Sequence, residues 1–114
     1  MLKFVDVENK KLRLRGENML NNKQKKYLKK EAHSLKAIYQ IGKDGISANL
    51  LLGLSEALEN HELMKVKILE SCPTNKYELA IEISANCKCE IVEIIGGTII
   101  LYKSSKKRVY KLPS

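Results

Sequence analysis

The sequence of 114 residues contains no tryptophan, one phenylalanine and two prolines. It also lacks any apolar run close to the roughly 20 residues that a membrane-spanning helix needs. The first seven residues have no apolar core of the kind found in a signal peptide, so we expect a cytoplasmic protein without a membrane partner. A chain of this length has room for one domain with a single modest core.

Cysteine is scarce and odd in number, with Cys72, Cys87 and Cys89. An odd count argues against a disulfide framework, and the C-x-C pair lacks the four ligands of a structural zinc site. We therefore expect free thiols and no metal. The sequence shows no nucleophile setting, no nucleotide signature and no paired acids beside a pocket motif. These absences predict a protein that is not an enzyme, with no cofactor and no small-molecule substrate.

Acidic residues are also few, and the position of the charges is more informative than the net value of +8. Residues 19–45 hold seven lysines against two acids, for +5, and residues 103–114 hold five basic residues and no acid, also for +5. Residues 46–102 hold four lysines against eight glutamates, for −4, while residues 1–18 hold five basic and three acidic residues, for +2. This segregation predicts a bipolar surface that attracts a polyanion. Solvated lysines without a partner are the alternative.

The periodicity of apolar residues predicts seven elements after an N-terminal extension of residues 1–18. Residues 75–86 fit both a strand and a helix, and we favour a helix with Thr74 as its cap and a stripe of Tyr77, Ala80, Ile81 and Ser84. Gly96-Gly97 predicts a hairpin between two strands that both look central. The predicted elements are a helix at Asn22–His33, a strand at Ala37–Ile41, a helix at Ala48–Asn60, a strand at Met64–Ile68, the helix at 75–86, and strands at Glu90–Ile95 and Thr98–Lys103. We thus expect an α/β fold in the order α-β-α-β-α-β-β, a compact two-layer sandwich with a mixed four-stranded sheet.

The first predicted helix carries an unusual density of lysine. Leu28, Ala32 and Leu35 form its apolar stripe, and five lysines lie on the remaining surface. So many like charges within eight residues weaken a helix through i, i+4 repulsion. A bound polyanion would relieve this repulsion.

A short loop, Gly42-Lys43-Asp44-Gly45, separates the first strand from the second helix. Two glycines at this spacing allow a tight turn and a close approach of the backbone to another molecule. Backbone amides at the start of the following helix suit a phosphate group. The pattern is like the GxxG loop of KH-type RNA-binding domains, although an ordinary turn has the same pattern more often.

Several segments carry a family resemblance: Lys23-Gln24-Lys25, Leu28-Lys29, Ala32-His33, Leu35-Lys36, Gln40-Ile41-Gly42-Lys43, Gly45-Ile46, His61-Glu62-Leu63, Lys65-Val66-Lys67, Ile95-Gly96 and Leu101-Tyr102. Together they resemble the YhbY proteins, which are bacterial single-domain members of the CRM-domain RNA-binding family. The resemblance covers Leu20 to Pro113. It implies a fold similar to the C-terminal domain of the third bacterial translation initiation factor and supports the helical interpretation of residues 75–86. It also implies RNA binding and association with precursors of the large ribosomal subunit, while related plant domains act in intron splicing.

Two positions depart from the family pattern. Ala37 stands where the family often has proline, and Asp44 puts a carboxylate into the loop expected to meet phosphate. A carboxylate a few ångströms from phosphate is unfavourable by about 1 kcal/mol or more near a surface.

Residues 19–114 are therefore predicted to form a monomeric RNA-binding domain whose partner is ribosomal RNA of the precursor large subunit. Tyr110, within the basic tail, is the best candidate for stacking on a base. The alternative is a protein-interaction module whose acidic middle binds a ribosomal protein or another basic partner. The predicted RNA-binding residues are Lys23, Lys25, Lys26, Lys29, Lys30, Lys36, Gly42, Lys43, Asp44, Gly45, Lys65, Lys67, Lys106, Lys107 and Arg108.

Overall fold

The computed structural model describes residues 20–105 and 109–113. The predicted extension at residues 1–18 and the predicted RNA-binding residues Lys106, Lys107 and Arg108 lie outside this range. Among the described helices, none is long and apolar enough to cross a membrane. The elements are α1 (Asn22–Ala32), β1 (Ala37–Ile41), α2 (Ala48–His61), β2 (Leu63–Ile68), α3 (Lys76–Cys87), β3 (Glu90–Ile95) and β4 (Thr98–Tyr102), which confirms the predicted order.

The four strands form one mixed sheet in the order β1-β2-β4-β3. β1 and β2 are parallel, because α2 carries the chain back between them, whereas β4 is antiparallel to both β2 and β3. The prediction that both hairpin strands are central is correct for β4 and wrong for β3, which forms one edge of the sheet. The continuous apolar run of β3 follows instead from helices that cover both of its faces.

Helix starts are set by short polar side chains. Asn21 accepts a hydrogen bond from the Gln24 amide at 2.8 Å, and the Gln24 side chain accepts one from the Asn21 amide at 3.1 Å, which completes a capping box. Ser47 caps α2 as predicted, by accepting from the Leu50 amide at 3.1 Å. Asn75, not the predicted Thr74, caps α3, because its side chain accepts from the Tyr77 amide at 2.8 Å.

The sheet is covered on both faces. Met64, Val66, Ile99 and Leu101 point to one face and pack with α2 and α3 in the larger core cluster, so the sheet and these two helices form the two predicted layers. Their neighbours along the strands point to the other face, where α1 covers part of the sheet as a third layer. The alternation of side chains along each strand therefore separates two cores, the smaller of which lies under the lysine-rich helix.

Helix α3 is present as predicted, but its buried face differs from the predicted stripe. Tyr77 and Ile81 were expected in the core and are 55% and 63% exposed. The buried face consists of Leu79, Ala80, Ile83 and Cys87. This face must pack on both the sheet and α2, so it is centred about a quarter turn away from the stripe chosen by sequence.

Gly53 lies in the middle of α2, where glycine costs about 1 kcal/mol relative to alanine. A Cβ at this position would come within 2.7 Å of the Tyr39 hydroxyl oxygen. The glycine therefore lets the half-buried Tyr39 ring of β1 pack closely against α2.

Candidate nucleic-acid interface

Helix α1 presents its lysines away from the sheet. Leu28 and Ala32 are fully buried beneath it, and no acidic residue lies in its first turn. A surface depression of about 410 Å³ on this helix is lined by lysines and one asparagine. Four of the five predicted lysines are exposed and one, Lys25, is half-buried, the five being Lys23, Lys25, Lys26, Lys29 and Lys30. This helix is therefore a concentrated source of positive potential.

One of these lysines already has an acidic neighbour. The Lys29 ammonium lies 3.7 Å from a carboxylate oxygen of Glu93 on β3, and both side chains are partly exposed. An exposed pair of this kind contributes little stability, with a typical value of about 0–1 kcal/mol. Lys29 therefore remains able to contact a phosphate, but with part of its charge compensated.

The Gly42–Gly45 loop is a tight turn at the end of β1. The Gly45 amide donates to the Gly42 carbonyl at 3.0 Å, and Gly45 has φ of +64°, a conformation that favours glycine. Lys43 and Asp44 are both exposed at its tip. The carboxylate that is expected to repel a phosphate therefore lies next to the lysine that is expected to attract it. Ser47 uses one amide of the following helix for its own cap, which reduces the donors left for a phosphate.

Two further segments lie beside this turn at the same end of the strands: the residues after β2 and the hairpin between β3 and β4. The Leu69 amide donates to the Ile41 carbonyl at 2.9 Å, and a Cβ on Gly42 would contact Leu69 and Ser71 at 3.4 Å. The hairpin joins them, because the Ile68 amide donates to the Gly97 carbonyl. The turn is thus supported on one side and exposed at its tip.

A line of lysines follows the direction of β1 and β2, from the end of the sheet where β1 begins towards the end where it stops. Lys36 precedes β1, Lys65 donates to the Leu35 carbonyl at 3.0 Å, and Lys67 is exposed and pairs in register with Gln40. Lys65 and Lys67 share one sheet face and lie about 7 Å apart along the strand. We call Lys36, Lys65 and Lys67 the strand strip.

The strand strip connects two predicted regions that are otherwise separate. It lies on the same sheet face as α1 and ends beside the Gly42–Gly45 loop, because Gln40 pairs with Lys67 two residues before Gly42. At the opposite end of the strip, the segment that follows α1 is held by the hydrogen bond from Lys65 to the Leu35 carbonyl. The lysines of α1 and of the strand strip thus share one side of the molecule. The other side, formed by α2 and α3, also carries lysine at each end of α3, but acidic side chains predominate there, namely Glu56, Glu59, Glu78 and Glu82.

Sequence reasoning missed Glu62, which anchors the C-terminal tail. Glu62 is fully buried with φ of +65°, an unusual conformation for a residue other than glycine. One carboxylate oxygen accepts from both the amide and the hydroxyl of Ser105 at 2.8 Å, and the other accepts from the Tyr110 amide at 3.0 Å. The segment His61-Glu62-Leu63 is one of those that resemble the YhbY family, but nothing local to it indicates partners more than 40 residues away.

The carboxylate of Glu62 is held in its charged form. Burial alone raises the pKa of a carboxyl group, but hydrogen bonds from Tyr110, Ser105 and Val109 outweigh burial and lower the pKa of Glu62 below its ordinary value of 4.5. The Lys103 amide also donates to the Glu62 carbonyl at 2.8 Å. A single buried anion therefore fixes the path by which the tail leaves β4.

The tail then passes beside α1. Tyr110 and Leu112 pack against the smaller core, and the Gln24 side chain donates to the Pro113 carbonyl at 3.0 Å. Burial and the nearby carboxylate of Glu31 raise the pKa of Tyr110, so its phenol stays neutral at physiological pH. The ring that was expected to be free for stacking is thus held partly buried at the side of the lysine-rich helix.

Two of the three cysteine thiols are shielded from solvent. Cys87 and Cys89 are buried, and burial raises the pKa of Cys89 to about 12. Within residues 20–105 and 109–113, no group of three histidine, cysteine or acidic side chains is arranged to hold a metal ion. These thiols therefore belong to the core.

Comparison with known proteins agrees with this fold. A protein of Bacillus subtilis named "Probable RNA-binding protein YqeI" is 42% identical over 89 residues, covering 78% of this chain and 93% of that protein. An RNA-binding protein of Haemophilus influenzae is 33% identical over 94 residues, covering 82% and 95%. The solution structure of the hypothetical protein SAV1595 of Staphylococcus aureus, described as a candidate RNA-binding protein, matches with a TM-score of 0.71 and 41% identity over 83% of this chain and all of that one. Since the model of the CRS1/YhbY (CRM) domain also matches residues 20–103, the chain belongs to the CRS1/YhbY (CRM) domain family.

Proposed function

We propose that this protein is a non-enzymatic RNA-binding protein of the cytoplasm that associates, as a monomer, with precursors of the large ribosomal subunit. The observation that carries the proposal is the lysine-covered outer surface of α1, in a chain whose relatives are named as RNA-binding proteins. Exposed lysines bind phosphates with release of counterions, which gives affinity with little dependence on sequence.

Each group of predicted residues has its own role in this proposal. The α1 lysines and the strand strip supply phosphate contacts, and the Gly42–Gly45 loop allows the RNA backbone to approach β1 closely. Lys43 supplies charge at the tip of that loop, while Asp44 weakens the contact and limits how tightly the loop holds phosphate. Lys106, Lys107 and Arg108, which lie outside the described residues, add three positive charges close in sequence to Tyr110.

Crosslinking in cells, followed by sequencing of the attached RNA, tests the partner. The proposal predicts enrichment of ribosomal RNA of the large subunit, together with co-sedimentation of the protein with precursor particles and not with mature ribosomes. Crosslinks spread evenly over messenger and transfer RNA would contradict the ribosomal part of the proposal. Light scattering of the purified chain tests the monomeric state.

One observation favours a protein partner as a second function. Leu52 on α2 is 61% exposed, and Tyr77 and Ile81 on α3 are exposed on the same outer layer, among glutamates. A basic protein segment with apolar side chains would suit this surface. Ribonuclease treatment before co-purification separates the two functions, because a partner held through RNA is lost and a partner held by this layer is retained.

A further inference from the structure

A crevice of about 290 Å³ lies at the end of the sheet where the parallel strands β1 and β2 begin. The Gly42–Gly45 loop lies at the other end of these strands. Its walls are mainly apolar and include Ile38 of β1 and Leu63 of β2. The C-terminal tail closes one side with Tyr110. The function proposed above assigns no role to this crevice.

The shape of the crevice is fixed by the buried anchor. Glu62 lies between α2 and β2, and its carboxylate holds the Tyr110 amide at 3.0 Å. The partly buried side chain of Tyr110 also packs against the smaller core, so both the backbone and the side chain hold this wall in place. A preformed, mainly apolar site with a few polar groups is typical of ligand-binding crevices.

The polar groups at this crevice suit a nucleotide better than an apolar ligand. Lys36 and His61 line it, and Lys36 is exposed. The Lys36 ammonium group can therefore contact the phosphate of a nucleotide whose base occupies the crevice. Tyr110 lines the crevice and is only partly buried, so its ring is the aromatic group placed to stack on a base there. Its neutral phenol adds no negative charge of its own beside that phosphate. The volume corresponds to about ten water molecules, which admits a single base and excludes a duplex.

The crevice also lies where a bound RNA strand would pass. Lys36 belongs both to the crevice and to the strand strip, which continues through Lys65 and Lys67 to the Gly42–Gly45 loop. The six residues of β2 span about 20 Å, so a short single strand along the strip would reach both ends.

We propose that this crevice binds one unstacked nucleobase of single-stranded RNA, with Tyr110 as the stacking surface and Lys36 at the adjoining phosphate. The inference rests on the proposed RNA-binding function and adds a base-binding subsite to it. Phosphate contacts on α1 give affinity without sequence preference, whereas an enclosed base gives the protein a means to select single-stranded sites.

Amide chemical shifts of the ¹⁵N-labelled full chain test the ligand class. The probes are uridine and adenosine monophosphates, with ribose 5-phosphate as the matched compound that lacks a base. We expect both nucleotides to shift the amides of Ile38, His61 and Tyr110, and ribose 5-phosphate to leave them in place. Equal shifts from all three compounds would show a phosphate site and overturn the base-binding proposal.

Two substitutions of exposed apolar residues test whether RNA uses the crevice. Ile38 is 48% exposed in the crevice wall, and Leu52 is 61% exposed on the opposite layer, so Ile38→Glu and Leu52→Glu add the same charge at two comparable surface positions. We expect Ile38→Glu to weaken binding of a single-stranded hexanucleotide at least about fivefold, the lower range for one stacked base, and Leu52→Glu to leave it unchanged. Equal effects of the two variants would overturn the proposal.

Tyr110 provides an independent test of stacking. Tyr110→Phe keeps the ring and should retain hexanucleotide affinity, whereas Tyr110→Leu should lose about fivefold or more at every salt concentration, with an unchanged salt slope. Thermal unfolding of both variants shows whether the tail remains folded, and Ile38→Glu decides the question if Tyr110→Leu unfolds. If structured RNA binds to the wild-type chain but all crevice variants bind the hexanucleotide as the wild type does, the base-binding subsite is overturned and the proposed function is not. Absence of RNA binding by the wild-type chain would overturn the proposed function itself.

Discussion

Replacement of Glu62 by glutamine should detach the C-terminal tail and destabilise the domain. The carboxylate is fully buried and accepts hydrogen bonds on both oxygens, from Ser105 on one and from Tyr110 on the other. In Glu62→Gln, one oxygen becomes an NH₂ group, which donates and cannot accept. Whichever way the amide is turned, a backbone amide of Ser105 or Tyr110 loses its acceptor.

The magnitude follows from these contacts. A buried donor left without a partner costs about 1–3 kcal/mol, and the remaining hydrogen bonds lose the extra strength that a charged acceptor gives. The total is about 2–4 kcal/mol, a large share of the roughly 5–15 kcal/mol that stabilises a typical domain. Urea unfolding at neutral pH measures the loss, and exchange of the Tyr110 amide with deuterium reports directly on the tail.

The effect should depend on pH in a defined direction. The pKa of Glu62 is lower in the folded state than its ordinary value of 4.5, so its stabilising contribution is complete above that value and is lost as the pH falls through the folded pKa. The gap between wild type and Glu62→Gln should therefore close in acid. A variant with wild-type unfolding energy at neutral pH and a protected Tyr110 amide would refute this reasoning.

Three other predictions concern single positions. Gly53→Ala should give no gain in unfolding free energy in the wild type, because its Cβ would lie 2.7 Å from the Tyr39 hydroxyl oxygen. In a Tyr39→Phe background urea unfolding should show a gain of less than about 1 kcal/mol, because the ring carbon Cζ remains at 3.3 Å; an equal gain in both backgrounds would show that the hydroxyl contact does not matter. Gly45→Ala should lower stability by about 1–2 kcal/mol, whereas Gly45→Asn should cost less, because φ is +64° there; equal melting temperatures for the two variants would contradict this. At about pH 8, a thiol reagent should label the half-buried Cys72 in the native protein and spare Cys89, with mass spectrometry identifying the site, and rapid labelling of Cys89 would contradict the raised pKa.

Local signals in the sequence were sufficient for most of the fold. The cap at Ser47, the alternation in β2 and the Gly96-Gly97 hairpin each depend on a few neighbouring residues, and each appears in the structure as predicted. In α3, two overlapping apolar stripes share Ala80. Periodicity alone cannot choose between them, because the choice depends on how the helix packs on both the sheet and α2.

The parts of the site that sequence did not predict are those that depend on distant contacts. In the sequence, Glu62 cannot be distinguished from a surface acid, because its hydrogen-bond partners Ser105 and Tyr110 are more than 40 residues away. The sequence predicts Lys65 as a cation for RNA, and the structure adds a second role: one donor of its ammonium group binds the Leu35 carbonyl and helps to fix the connection from α1 to β1. Composition identifies a cationic protein, and only the tertiary structure shows which charges are already engaged.

The salt dependence of RNA affinity tests the central claim most directly. Lys26 and Lys30 are exposed and lie four residues apart on α1, and Lys88 is an exposed lysine directly after α3. If α1 binds phosphates, Lys26→Gln with Lys30→Gln should reduce the slope of log K against log salt by about 1.4–1.8, the value for two lost phosphate contacts, and Lys88→Gln should leave the slope unchanged. An unchanged slope in the double variant, with its fold intact, would contradict the account.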